Sequence, residues 1–164
     1  MKALAIAIAC LAAAATLVAA QARAGTLDQV KARGSLKCGV NPNLPGFSYV
    51  DAQGERHGFD IDFCRALAAA IGVKAEFVPT TAKDRFTALQ SGEVDVLYRN
   101  TTMTMSRDTK LALDFPAINY YDGQGFMVRK SLGKTSALQL GGATICVETG
   151  TTTEKNLADY FRAH

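Results

Sequence analysis

The sequence contains no tryptophan and, among its 164 residues, only two histidines, four prolines and four cysteines. The cysteines have no close pairing, which excludes a disulfide-dense miniprotein. His57 and His164 lie far apart and no Cys-x-x-Cys motif is present, so we expect no metal site and no cofactor. A formal net charge of only +3, from dispersed basic residues, argues against a nucleic-acid-binding protein. The 48% of hydrophobic residues is ordinary for a globular chain.

The first 24 residues have the pattern of an export signal. A short positive start, Met1-Lys2, precedes residues 3–20, which are uncharged and mostly Ala, Ile, Leu and Val, and residues 22–24 read ARA. This pattern predicts a secretory signal peptide cleaved after Ala24. The alternatives are a membrane anchor, since the apolar run is nearly long enough to span, and a lipid anchor on Cys10. Weakly lipophilic alanine and the A-x-A ending favour cleavage.

Cleavage would leave a nearly neutral chain with three cysteines. Without Lys2 and Arg23, 16 basic residues face 15 acidic ones. Three cysteines in an oxidising compartment allow at most one internal disulfide. Cys38 and Cys64 each lie on an apolar face of a predicted element, so they either form a bridge or remain two buried thiols.

Strands and helices alternate along the rest of the sequence. Apolar periodicity predicts strands and helices, with the strands at residues 35–40, 73–79, 94–98, 125–128 and 143–147 and the helices at residues 27–33, 60–71, 84–90 and 151–161. Asp60 is expected to cap the second helix. This alternation predicts an α/β fold with a largely parallel sheet covered on both faces. Ligands bind beyond the carboxyl ends of such strands, which here means the loops at residues 41–47, 99–107 and 149–153.

Two of these loops have the side chains of an anion site. Residues 99–107, RNTTMTMSR, are rich in hydroxyl groups, and Arg107 offers a bidentate fork for a carboxylate. Thr151 with Glu154 matches a capping box, and the amides of the helix that it opens attract anions. The simpler alternatives are a solvated loop whose Thr and Ser residues cap a helix, and plain capping by Thr151.

Residues 58–67, GFDIDFCRAL, resemble the signature of bacterial extracellular solute-binding proteins of the polar amino-acid class, family 3. Asp60 and Asp62 could be catalytic carboxylates, but capping and complementation of the helix dipole explain them more simply. Residues 86–95, FTALQSGEVD, and 121–126, YDGQGF, are similar to the general L-amino-acid-binding subgroup, which serves ABC importers.

The resemblance covers the chain from about residue 25 to its last residue and implies a periplasmic-binding-protein type II fold, in which two α/β lobes trap the ligand. Residues 25–122 would form a largely complete first lobe, and residues 123–164 a hinge strand and the truncated start of the second lobe. The family's second lobe continues well beyond Phe161. We therefore expect residues from about 130 onward to pack poorly.

The resemblance also assigns one end of the ligand site. Arg107 matches the arginine that clamps the α-carboxylate of the ligand. Thr152 matches a residue whose amide and hydroxyl meet the same carboxylate, with Thr151 beside it. Thr102 matches a hydroxyl residue near the α-amino group, and Asn100 a residue whose backbone carbonyl lies there.

The other end of the site would face the ligand's side chain. Asn41 and Leu44 fall on the first-lobe loop there, and Phe47 matches the aromatic residue that follows it. Relatives often have an acidic residue at Asn41 and an aromatic one at Leu44, so a strictly cationic ligand is not expected. Tyr98 and Met103 also depart from the subgroup pattern.

These features predict a periplasmic receptor rather than an enzyme. It would be a monomer that binds an L-amino acid and delivers it to an ABC permease of the inner membrane. A same-fold enzyme such as a cyclohexadienyl dehydratase is an alternative, but it needs a proton donor, and Glu148 is the one such acid in the pocket loops. A truncated product with little or no ligand binding is the third possibility.

Overall fold

The computed structural model describes residues 25–164, so the predicted signal peptide and Cys10 lie outside the described residues. In chain order, these residues form α1 (Thr26–Arg33), β1 (Ser35–Val40), β2 (Tyr49–Val50), β3 (Arg56–His57), α2 (Phe59–Ile71), β4 (Lys74–Pro79), α3 (Arg85–Gln90), β5 (Val96–Leu97), α4 (Met105–Leu111), a 3₁₀ helix (Ala137–Leu140) and α5 (Thr152–Ala163). A further 3₁₀ turn covers Lys130–Leu132.

The central element is a three-stranded parallel sheet in the order β4-β1-β5. Cys38 in β1 lies opposite Phe77 on one side and Val96 on the other. Strands β2 and β3 form a separate antiparallel hairpin. The prediction of a largely parallel sheet is therefore confirmed, although β5 is only two residues long.

One apolar core lies between the sheet and helices α1 and α2. Leu36, Cys38 and Val40 point from β1 into this core, and Ile61 and Cys64 meet them from α2. The period of two in the strand and of three to four in the helix is what brings these side chains together. Cys38 and Cys64 form a disulfide with a Cα–Cα distance of 6.3 Å, which decides between the bridge and the two thiols.

Helix α2 begins at Phe59, and its N-cap is Gly58 rather than Asp60. Gly58 has φ 125°, and a Cβ there would lie 2.4 Å from the carbonyl carbon and oxygen of Phe47. The amides of Phe59 and Asp60 donate to the carbonyls of Gly46 and Phe47, each over 3.0 Å. Backbone carbonyls of the neighbouring loop thus satisfy the first amides of the helix. The predicted cap was wrong: Asp60 is buried within the first turn.

The chain after Leu113 packs loosely. Among residues 114–164, Leu140 alone is buried. The strands predicted at residues 125–128 and 143–147 are not formed, because a strand needs a neighbour to take up its backbone hydrogen bonds and these segments are paired with none of the described strands. Phe126 instead contacts Tyr160 and Phe161 of α5, with ring centroids 5.6 and 5.8 Å away.

None of the helices within residues 25–164 is long and apolar enough to cross a membrane.

Candidate ligand-binding site

Arg107 lies at the start of α4, just beyond the carboxyl end of β5. The helix begins there because the Thr104 side chain accepts a hydrogen bond from the Arg107 amide, which bears out the capping alternative for this loop. Arg107 is 7% exposed, and its guanidinium donates to the Thr102 carbonyl over 2.6 Å and lies 5.0 Å from the centre of the Phe86 ring. Burial lowers the pKa of Arg107. None of the ion pairs found among residues 25–164 includes it.

The amino end of α5 meets this loop. The hydroxyl oxygens of Thr102 and Thr152 lie 3.1 Å apart. Thr151 caps α5 by accepting from the Glu154 amide, and the Glu154 carboxylate accepts from the Gly150 amide over 2.9 Å. The predicted capping box is therefore confirmed, with its return bond shifted to Gly150. The fold brings Arg107, Thr102 and Thr152 together although 50 residues separate the two threonines.

Arg85 connects the two loops, and sequence reasoning missed it. Its side chain is 1% exposed and donates to the Asn100 carbonyl over 3.0 Å and to the Gly150 carbonyl over 3.3 Å. It also lies 4.7 Å from the centre of the Phe86 ring. Burial is the main cause that lowers the pKa of Arg85 to about 10, with Arg99 and Arg107 adding to it. Arg85 lies on the same buried face of α3 as Ala88.

Asn41 and Asn100 form a second polar group. The Asn41 side chain donates to that of Asn100 over 3.1 Å, and the Asn41 carbonyl accepts from the Ser48 hydroxyl over 2.6 Å. Leu44 and Phe47 do not belong to this polar group. Leu44 pairs with Ser48 through the backbone, and Phe47 packs edge-on against Tyr120 at a centroid distance of 5.1 Å. The structure therefore joins Asn41 to the loop after β5, whereas Phe47 belongs to a cluster of aromatic rings.

A buried charge cluster borders the same loop. Asp60 and Arg99 are each 5% exposed. Burial raises the pKa of Asp60 to about 6 despite the opposing charge of Arg99, and burial lowers the pKa of Arg99 despite Glu148 and Asp60. Asp60 Oδ2 and Arg99 Nε and Nη1 have no hydrogen-bond partner in the structure. Neither the cluster nor its cost was evident from the sequence, because it depends on three segments distant in the chain.

These side chains suit an anionic ligand. Within residues 25–164 no group of His, Cys, Asp or Glu could hold a metal ion. Guanidinium, hydroxyl and helix-terminal amide groups together favour a carboxylate.

The chain belongs to the bacterial extracellular solute-binding proteins, family 3, whose family model matches residues 36–161. Its fold is that of the type II periplasmic binding proteins. The resemblance predicted from residues 58–67 is thereby confirmed.

Two relatives within this family are similar to the chain over most of its length. The chain is 64% identical over 153 residues to the glutamate/glutamine/aspartate/asparagine-binding protein of Rhodobacter capsulatus, covering 92% of this chain and 45% of that protein. It is 58% identical over 149 residues to the general L-amino acid-binding periplasmic protein of Rhizobium johnstonii, covering 89% and 44%.

A solved structure is similar as well. An ABC-transporter periplasmic binding protein from Brucella ovis, with glutathione bound, matches with a TM-score of 0.81 and 62% identity over 86% of this chain and 46% of that one. The chain thus spans about half the length of these relatives.

Proposed function

We propose that the protein is the periplasmic solute-binding component of an ABC transporter and that it binds an L-amino acid for import. The similarity to amino-acid-binding relatives over nearly the whole chain supports this proposal. The chain spans about half the length of those relatives, so its ligand and its partners are part of the proposal.

The arrangement of Arg107, Thr102 and Thr152 is the observation that carries the proposal. In the proposed complex, the Arg107 guanidinium binds the α-carboxylate of the ligand. The amide and hydroxyl groups of the Thr151-Thr152 turn donate hydrogen bonds to the same carboxylate. The helix dipole of α5 adds a favourable field there. Support comes from the buried Arg107 side chain, whose charge meets a backbone carbonyl and an aromatic ring but takes part in no ion pair between described residues.

The remaining predicted residues complete the proposed site. Thr102 and the Asn100 carbonyl lie near the α-amino group; that carbonyl already accepts from Arg85, but its second lone pair remains for the ligand. Asn41, Leu44 and Phe47 border the side chain. Residues 25–122 would act as the first lobe and residues 123–164 as the hinge strand and the start of the second, although this segment forms no strand in the structure.

The proposed setting is the periplasm, reached through the signal peptide at residues 1–24. The protein would act as a monomer that hands its ligand to an inner-membrane ABC permease and would have no catalytic activity of its own. A dehydratase would need a proton donor at the leaving group. Glu148, whose charge acts on both Arg85 and Arg99, is the group to replace in that case, and turnover of prephenate or arogenate would reveal such an enzyme.

Calorimetry against a panel of L-amino acids tests the proposal. We expect micromolar binding by the unaltered chain and a loss of about tenfold to a hundredfold for Arg107→Gln, because a hydrogen bond between charged groups is replaced by a neutral one. Arg162→Gln is the matched control, since it removes the same charge from an exposed site on α5.

Absence of binding by the unaltered chain would contradict the proposal. It would indicate that residues 25–164 do not suffice to hold a ligand.

A further inference from the structure

Arg85 is a buried arginine whose guanidinium is hydrogen-bonded to two separate loops. It is 1% exposed, and its Nη1 atom donates to the Asn100 carbonyl over 3.0 Å and to the Thr101 hydroxyl over 3.3 Å. Its Nη2 atom donates to the Gly150 carbonyl over 3.3 Å. None of the ion pairs found within residues 25–164 includes Arg85. Burying a guanidinium without a carboxylate partner is costly, so an apolar side chain would fill this space at a lower cost.

A second contact fixes the turn that contains Gly150. Gly150 has φ 81°, and a Cβ there would lie 3.1 Å from the carbonyl oxygen of Ala82 and 3.2 Å from the Cα atom of Lys83. The backbone of this turn therefore lies directly against the segment that precedes α3, the helix that carries Arg85. Because residues 114–164 otherwise pack loosely, these few contacts determine where the turn lies.

The two loops that Arg85 binds supply different parts of the proposed site. One loop contains Arg107, and the other contains Thr152, whose hydroxyl oxygen lies 3.1 Å from that of Thr102. In the proposed complex both loops bind the same α-carboxylate. They can do so only if their separation is fixed, since hydrogen bonds weaken steeply outside a narrow range of distance and angle.

Arg85 and Arg107 make different contacts although they lie near the same aromatic ring. Their guanidiniums are 4.7 and 5.0 Å from the centre of the Phe86 ring. Arg85 donates to both loops, whereas the Arg107 guanidinium donates to the Thr102 carbonyl of its own loop. The arginine that connects the loops is thus held beside the arginine that is proposed to bind the ligand.

We propose that Arg85 is a positioning residue that holds the Thr151-Thr152 turn against the loop of Arg107, so that both can bind one α-carboxylate. This inference rests on the proposed function, which assigns the carboxylate to these two loops. Arg85 itself does not touch the ligand. Its hydrogen bonds to the Asn100 and Gly150 carbonyls are charge-assisted and shielded from solvent, which strengthens them. The loops are then ordered before the ligand arrives, and binding does not have to supply that ordering.

A double-mutant cycle tests the inference, because it measures whether Arg85 acts through Thr152. Calorimetry gives the affinity for the L-amino acid of the panel that the unaltered chain binds most tightly. We expect Arg85→Gln and Thr152→Val each to weaken binding about tenfold in the unaltered chain. In the Arg85→Gln background, Thr152→Val should weaken binding by less than about threefold, because the turn no longer lies where its hydroxyl reaches the ligand.

Leu44→Ala provides the matched cycle. Leu44 belongs to neither loop and pairs with Ser48 through the backbone, so its effect on affinity should be the same with and without Arg85→Gln. A loss that acted only through the stability of the whole protein would be additive in both cycles. Arg162→Gln removes the same charge from an exposed site on α5 and should leave the affinity unchanged.

Thermal melting shows whether each variant is folded. If Arg85→Gln is not, Arg85→Lys takes its place in the cycle, since lysine keeps the charge but lacks the planar fork that reaches both carbonyls. Additive losses for Arg85 and Thr152, or a folded Arg85 variant that binds as tightly as the unaltered chain, overturn the role of Arg85 and leave the proposed function standing. Failure of the unaltered chain to bind any amino acid overturns both.

Discussion

Gly58 shows how strictly one residue can be required by its surroundings. Its backbone has φ 125°, a region that L side chains rarely adopt, and the space where a Cβ would lie is taken by the backbone of Phe47. The close approach allows the loop carbonyls of Gly46 and Phe47 to receive the first amides of α2. One glycine therefore joins the loop that carries Asn41 to the helix that carries Asp60.

We expect Gly58→Ala to destabilise the protein by at least about 2 kcal/mol, because it combines backbone strain with a collision that no side-chain rotation can relieve. Urea unfolding followed by circular dichroism measures the change.

Gly54→Ala is the matched control for this substitution. Gly54 also has a positive φ, of 86°, but a Cβ there meets nothing within 4 Å, so about 1 kcal/mol of conformational cost is expected. Equal losses in the two variants would show that the contact with Phe47 is not limiting.

The buried charged residues could not be predicted from the sequence, whereas the helix cap could. Thr151 and Glu154 were recognisable as a capping box because both partners lie within one turn of helix. The burial of Arg85 and Arg99 was not recognisable, because their neighbours come from loops as distant as residue 150 and from the start of α2. An arginine's burial depends on which segments cover it, and its own sequence neighbourhood does not reveal that.

At the scale of the elements, the disulfide is the strongest link between β1 and α2. It closes a loop with a sequence separation of 26 residues between two fully buried sulfurs. Both cysteines belong to the apolar core, so the bridge fastens a contact that hydrophobic packing already favours.

We expect replacing both Cys38 and Cys64 by alanine to lower the free energy of unfolding by about 3 kcal/mol or more, since the unfolded chain loses a cross-link across a loop of this size. Denaturant titration measures the loss, and intact mass with and without reductant confirms the bridge in the unaltered chain.

Cys146→Ser controls for the loss of a thiol. Cys146 is exposed and unbridged, so its replacement should change the free energy of unfolding by no more than about 0.5 kcal/mol. A double variant as stable as this control would mean that the bridge contributes nothing to stability.

At the scale of the whole molecule, two regions differ in how well they are packed. The sheet, α1 and α2 share one core, whereas residues 114–164 expose many apolar side chains, among them Met127, which is 99% exposed. Leu140 lines two open clefts of about 250 and 290 Å³. Helix α5 has twelve residues, which is short for a helix that must hold its shape with little tertiary support.

Hydrogen exchange should separate these two regions. We expect amides of β1, β4 and α2 to be strongly protected, and those from about residue 130 onward to exchange far faster, because local opening there exposes little additional apolar surface. Mass spectrometry of peptic fragments measures both in one sample, with β1 as the internal reference. Equal protection of the amides in both regions would refute this prediction.

The sequence by itself determined the features that depend on near neighbours. Alternating apolar residues predicted β1 and β4, three- and four-residue spacing predicted α2, and residues 58–67 predicted the family. Tertiary structure alone decided that loop carbonyls cap α2 and that Arg85 connects two loops. It also decided that the apolar segments at residues 125–128 and 143–147 form no strand. The physical reason is common to all of them: a backbone amide, a buried charge and a strand edge each need a partner, and in a folded chain that partner is supplied by residues far away in the sequence.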